Sequence, residues 1–160
     1  RSRAKTGEIG TMMRTVAVVG TLLLGAGAVL AQQDIAVQQD NLMRGQAKSL
    51  YETILKMAKG EIPYDQAAVD TAIAQLEESV GKIADTFKPN PKQHVINAKY
   101  GASQKVWKNK ADFDSKIPPV AKAIAGVKGK IKDIDSLKAA YTSINDRCTD
   151  CHETYRVKLK

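Results

Sequence analysis

The sequence predicts an all-α protein, an antiparallel up-down-up-down four-helix bundle. Three observations carry that expectation. Four segments repeat apolar or small side chains at three-and-four spacing, and glycine or proline punctuates the ends of each. No stretch alternates apolar and polar residues with period two, and there is no internal repeat.

The first helix is expected from about Asp34 to Lys59, where Gly60 and Pro63 stop it. Ile35, Leu42, Met43, Ala47, Leu50, Ile54 and Met57 share one face at helical spacing. The second helix opens at Pro63-Tyr64-Asp65, with Asp65 as the cap, and ends at Lys88-Pro89-Asn90-Pro91. A loop to about Ala102 follows. The third helix, from about Ser103 to Val127, carries Trp107 and Phe113 and contains Pro118-Pro119, which should kink or split it. The fourth starts at the capping cluster Asp133-Ile134-Asp135-Ser136 and presents Leu137, Ala140, Tyr141, Ile144, Cys148 and Tyr155. Short connections between four helices of this length give antiparallel neighbours.

Ahead of these helices, Thr15 to Ala31 is uncharged, follows Met12-Met13-Arg14 and closes on Val29-Leu30-Ala31 before polar Gln32-Gln33-Asp34. A positive start, an apolar middle and a small-residue end form a secretory signal peptide. Residues 1–31 are therefore expected to be an upstream leader and signal peptide, cleaved after Ala31, with residues 32–160 the folded domain. The three glycines of the apolar run weaken it as a permanent membrane helix, and an uncleaved anchor is the alternative. Of 25 basic and 17 acidic side chains, the leader holds Arg1, Arg3, Lys5 and Arg14 against Glu8, so the domain keeps a net +5. That excess suits an acidic protein partner. Without an arginine-rich or aromatic-studded patch it gives no case for nucleic acid.

The chain has two cysteines and two histidines, and three of these four stand together in Cys148-Thr149-Asp150-Cys151-His152. Thiols three positions apart on a helix can both add to the vinyl groups of one haem, and the next histidine then lies beneath the iron. Haem c, attached through two thioethers, is the cofactor this motif specifies. Three other readings of the motif compete. A thioredoxin-like thiol pair expects a βαβ setting, which the sequence lacks. A structural zinc site needs four ligands and would have to recruit distant His94. A disulfide across three helical positions is strained and closes almost no loop.

An exported four-helix domain bearing Cys148-x-x-Cys151-His152-x-x-Tyr155-Arg156 on its last helix resembles the class II c-type cytochromes, the cytochrome c-prime family. The resemblance extends from about Gln32 to Lys160 and includes Lys59-Gly60-Glu61-Ile62-Pro63-Tyr64-Asp65 between helices one and two. It is greatest for the low-spin branch, in which a methionine of the first helix is the sixth iron ligand. By that resemblance His152 is the proximal ligand, Cys148 and Cys151 hold the haem, and Arg156 lies near its proximal face. The family often has an Arg-Gln pair just before the distal position. Here Gln39-Asp40 replaces it, so the arginine that the family places near the propionates is missing from this position.

Met43 is the candidate sixth ligand on geometry too. Helix one runs antiparallel to helix four, and a His152 six to eight residues before the end of helix four lies roughly 9–12 Å from that end. Met43, nine residues into helix one, lies roughly 13 Å along it, whereas Met57 is about 21 Å further. The alternative is that Met43 only fills the core. His94 is the histidine rival. Trp107 either shields the haem edge or is simply the largest core side chain of helix three.

These residues imply an exported monohaem electron carrier with redox partner proteins in the periplasm, and no enzyme. A five-coordinate binder of nitric oxide or carbon monoxide is the first alternative, and a haem-free thiol-disulfide oxidoreductase the second. Lys128, Lys130, Lys132, Lys138, Lys158 and Lys160 are a candidate docking surface. No stable membrane association is expected once the leader is cleaved. Pairing through the first two helices, as in the family, leaves a homodimer open.

Overall fold

The computed structural model describes the backbone of residues 13–160 and the side chains of residues 30–160. The part of the leader expectation on residues 1–12 lies outside the described residues. Helix α1 (Met13–Ala47) continues without a break into a π-helical segment (Lys48–Leu55) and a last turn, α2 (Lys56–Ala58). The expected start at Asp34 is corrected: no glycine or proline interrupts Val29 to Asp34, so the helix continues upstream. Among the described residues, no helix is long and apolar enough to cross a membrane.

At the other end, Gly60 adopts φ +74°, and its N–H reaches the Met57 carbonyl at 3.0 Å. Only glycine takes that left-handed conformation without strain, so the stop is built into the residue. Asp65 caps α3 (Gln66–Gly81) as expected, its carboxylate accepting the Ala68 N–H at 2.9 Å. A short α4 (Ile83–Thr86) follows.

The third bundle member is three pieces, α5 (Lys105–Lys108), α6 (Lys110–Ser115) and α7 (Ile117–Val127). Pro118-Pro119 do split it, and they sit in the first turn of α7, where a missing N–H costs no helical hydrogen bond. Helix α8 (Ile134–Tyr155) opens with a reciprocal capping box between Asp133 and Ser136.

One expectation fails here. Helix α8 ends three residues past His152, well short of the expected end, because Arg156 turns extended at φ −105°, ψ 139°. The chain then forms β2 (Arg156–Lys158), paired antiparallel with β1 (Tyr100–Ala102) in a two-stranded ribbon: Tyr100 faces Lys158 and Ala102 faces Arg156. The Ser103 N–H donates to the Tyr155 carbonyl at 2.8 Å and extends the seam. Three-residue strands are too short to show a period of two.

Ile54, Val69, Leu76, Ile124, Leu137 and Ile144, one or more from each bundle member, are almost wholly shielded from solvent and pack into one core. That burial fixes the helices against one another. At the end of the bundle closed by the ribbon, the helices enclose a cavity.

Candidate functional site

Helix α8 presents Cys148, Cys151 and His152 within its last two turns. Offsets of three and four residues place all three on one helical face. That face lines a cavity of about 390 Å³, which Met43 of α1 also lines. Met57 sits in the core, 4 % exposed, and does not line the cavity. The early end of α8 removes the height estimate used for His152, yet Met43 and His152 still meet at one cavity.

Apolar side chains from all four bundle members close the walls, among them Leu50, Leu76, Phe87, Val106 and Phe113. Trp107 lines the cavity half-buried, its indole N–H tied to the Phe87 carbonyl at 3.0 Å. Phe87 and Phe113 are 5.6 Å apart at their centroids, and Phe113 meets Tyr155 edge to face at 5.2 Å. Arg156 is exposed at the rim, with its guanidinium carbon 4.6 Å from the centre of the Tyr100 ring. His94 also reaches the wall but is exposed, and its ring lies so close to Gly101 that an added Cβ would come within 2.3 Å of Nδ1. A side chain at position 101 would displace the His94 ring.

Burial sets the charge states. It pushes the Cys148 thiol up to about 11, helped by the neighbouring Cys151. Cys151 is also raised, mainly by burial, although Lys116 opposes the shift. Both thiols are therefore protonated at neutral pH and are weak nucleophiles for disulfide exchange, which counts against the thiol-redox reading. Burial, with a further contribution from the Arg156 charge, lowers His152 to about 4. Its imidazole is neutral over the ordinary pH range, the form in which it can ligate a metal. Among the described residues, no group of three or more His, Cys, Asp or Glu side chains converges on a metal position, so the zinc ligand set is not assembled.

The charged side chains on the cavity are Arg44, Lys99, Lys116 and Arg156 against Asp40, and Asp40 is engaged by Arg44 at 2.5 Å. Of the expected docking lysines, Lys128 pairs with Glu77 and Lys138 lies 3.9 Å from Asp135, while Lys158 is on the ribbon. The residues fit haem c: two thiols and an imidazole on one helical face, aromatic and aliphatic walls for a flat macrocycle, and cations for its carboxylates, with the Met43 side chain on the same cavity.

Gln39 and Gln46 also line this cavity, and the sequence reading passed over them as functional residues. Gln39 is 4 % exposed, and its amide donates to the Thr86 carbonyl at 3.1 Å and the Pro89 carbonyl at 2.9 Å. It fastens α1 to the loop after α4. The legible signal was the spacing: Gln39, Met43, Gln46 and Leu50 follow at four, three and four, so two amides sit on an otherwise apolar face.

Comparison with known proteins agrees with this architecture. The chain is 77% identical over 149 residues to cytochrome c-555 of Bradyrhizobium diazoefficiens, an alignment spanning 93% of this chain and 100% of that protein. An NMR-validated structural model for oxidized R. palustris cytochrome c556 superposes with a TM-score of 0.68 at 39% identity, covering 80% of this chain and 99% of that one. The structure of cytochrome c' from Rhodopseudomonas palustris gives a TM-score of 0.69 at 30% identity, over 79% of this chain and 98% of that chain. Residues 34–156 match the family model described as Cytochrome C'. The chain belongs to the cytochrome c' family, and with it to the four-helix-bundle, monohaem c-type cytochromes that carry electrons on covalently attached haem.

Proposed function

We propose that the protein is an exported, low-spin one-electron carrier in which His152 and Met43 are the two axial iron ligands and Cys148 and Cys151 the thioether attachments. One observation supports the reading: both thiols and the imidazole of α8 and the methionine of α1 line a single cavity. Haem c, when bound, supplies an iron that exchanges one electron between ferric and ferrous states. The protein's own part is to fix its surroundings. His152 is held neutral by burial and needs to lose no proton in order to ligate. Met43 comes from a helix whose neighbouring side chain, Gln39, is anchored to the loop after α4, so its backbone position is set before the cofactor arrives. A thioether opposite an imidazole raises the reduction potential relative to two imidazoles. Trp107, with its N–H satisfied, keeps water from one edge, and Arg156 adds positive charge at the rim.

Export, with removal of residues 1–31 by cleavage after Ala31, places the carrier in the periplasm. Its partners are redox proteins that dock on the cationic face around the ribbon. Mass spectrometry of the exported protein checks the cleavage, because a chain starting at Gln32 is expected.

Absorbance of the haem-loaded protein, oxidised and reduced, with and without carbon monoxide, tests the ligand set. The expected result is a low-spin spectrum with a methionine-to-iron charge-transfer band and no carbon monoxide response. Met43→Ala should lose that band and bind carbon monoxide. A parent protein that is high-spin and shifts with carbon monoxide would instead be a gas binder, with Met43 returned to the core. An unaltered spectrum in Met43→Ala would remove Met43 from the ligand set.

A further inference from the structure

The face of α1 that bears Met43 also bears a buried polar group that no group of the protein satisfies. The amide nitrogen of Gln46 is shut off from solvent and has no hydrogen-bond partner among the protein's own atoms. Buried amides are rarely left so, because desolvating a donor without giving it an acceptor is costly. Gln46 lies three residues after Met43, so the two side chains are neighbours on one helical face, and both line the cavity that His152 closes from the other side.

Gln39, four residues before Met43 on the same face, shows the contrast. Its side chain is buried, and its amide is consumed by the Thr86 and Pro89 carbonyls. Leucine at position 46 would complete the apolar wall, and the chain has an amide donor there instead. The carboxylates of haem are matched by the cations Arg44, Lys99, Lys116 and Arg156, of which Arg44, Lys99 and Arg156 are exposed. Gln46 Nε2 is buried on the helical face that carries Met43, so a ligand that takes the place of Met43 would offer it an acceptor.

We propose that Gln46 is an unpaired hydrogen-bond donor beside the distal position, and that once Met43 is removed it donates to an incoming ligand and makes this side of the cavity a site for small anions. The proposal rests on the reading of Met43 and His152 as axial ligands. In the parent protein this donor has no acceptor, the Met43 thioether included. In Met43→Ala the acceptor is the terminal atom of an incoming anion, which the cationic rim also favours.

The test uses haem-loaded protein and azide as the probe. Ferric Met43→Ala is titrated with azide and ferrous Met43→Ala with carbon monoxide, and both titrations are repeated after adding Gln46→Leu or the near-isosteric Gln46→Glu. Losing a hydrogen bond to a charged ligand should weaken azide binding roughly tenfold in the leucine variant. The glutamate variant should weaken it further by charge repulsion, and neutral carbon monoxide should change less than about twofold in either. Equal azide affinity with and without Gln46 overturns the proposal. So do equal losses for azide and carbon monoxide, which would mark Gln46 as a packing residue. Met43→Ala with the parent's spectrum and no azide binding overturns the axial-ligand reading itself, and this proposal with it, so the two failures are distinguishable.

Discussion

Tyr155 joins α8 to the ribbon and lines the cavity while 3 % exposed. Its ring packs edge to face on Phe113, and its hydroxyl donates to the Asp112 carboxylate. That hydrogen bond, with burial and the Asp112 charge adding to it, pushes the phenol up to about 12 from an ordinary value of 10. The sign follows from linkage. A group whose folded pKa is raised contributes stability that is fully present below its unfolded pKa and is lost as pH rises through the folded one. Tyr155→Phe keeps the ring and removes only the hydroxyl, so it should melt lower than the parent at pH 8. The gap should shrink between pH 10 and 12, as the parent loses the bond and the variant has none to lose. Thermal midpoints of both proteins at pH 8, 10 and 11.5 check this. A gap that stays constant to pH 11.5 would mean the Asp112 contact does not hold the proton.

Among the elements, the π-helical segment Lys48–Leu55 has the clearest consequence. A π turn closes its backbone hydrogen bonds one residue further along than an α turn, so such a segment absorbs one extra residue without turning the faces on either side of it. Met43 before it stays on the cavity, and Met57 after it stays in the core. Deleting Glu52, which is exposed within the segment, should restore α-helical winding and cost less than about 1 kcal/mol, a midpoint shift of roughly 4 °C or less. Deleting exposed Glu77 from the regular α3 should instead rotate Val80 out of the core and cost several times more. Paired melting curves decide it, and similar losses for the two deletions would refute the one-residue account. The sequence announced the four bundle members because their signals are local: Gly60 after Lys59, Asp65 before Gln66, Asp133 with Ser136. The π segment was hidden because its buried apolar positions, Leu50 and Ile54, keep a spacing any helix allows, while the third buried residue, Ser49, is polar and gives no apolar signal. The ribbon was hidden because pairing Gly101 with Val157 depends on contacts far apart in sequence.

At the scale of the molecule, the site was legible wherever chemistry demands a residue type, as with two thiols and an imidazole at fixed offsets. It was illegible where burial makes the demand: nothing local distinguishes Gln46, whose amide is orphaned, from Gln39, whose amide is engaged. Surface charge belongs to the second kind. The lysine-rich stretch after α7 is the conspicuous basic feature of the sequence, but the fold turns Lys128 toward Glu77. At the cavity the fold gathers Lys99 and Arg156 around Tyr100, both facing an aromatic ring rather than a carboxylate. A redox reagent approaching the cavity therefore meets net positive charge, and its approach depends on its own sign. Oxidation of the reduced protein by ferricyanide should slow roughly tenfold between about 10 mM and 200 mM salt, as the screening length falls from about 30 Å to below 10 Å. With a cationic cobalt(III) tris-phenanthroline oxidant the salt dependence should reverse. Arg156→Gln should flatten both slopes, whereas Lys130→Gln, in the turn after α7, should leave them nearly unaltered. Stopped-flow rates over that salt range provide the measurement. If Lys130→Gln flattens the slopes and Arg156→Gln does not, electrons leave by the face after α7 and the docking surface has to move there.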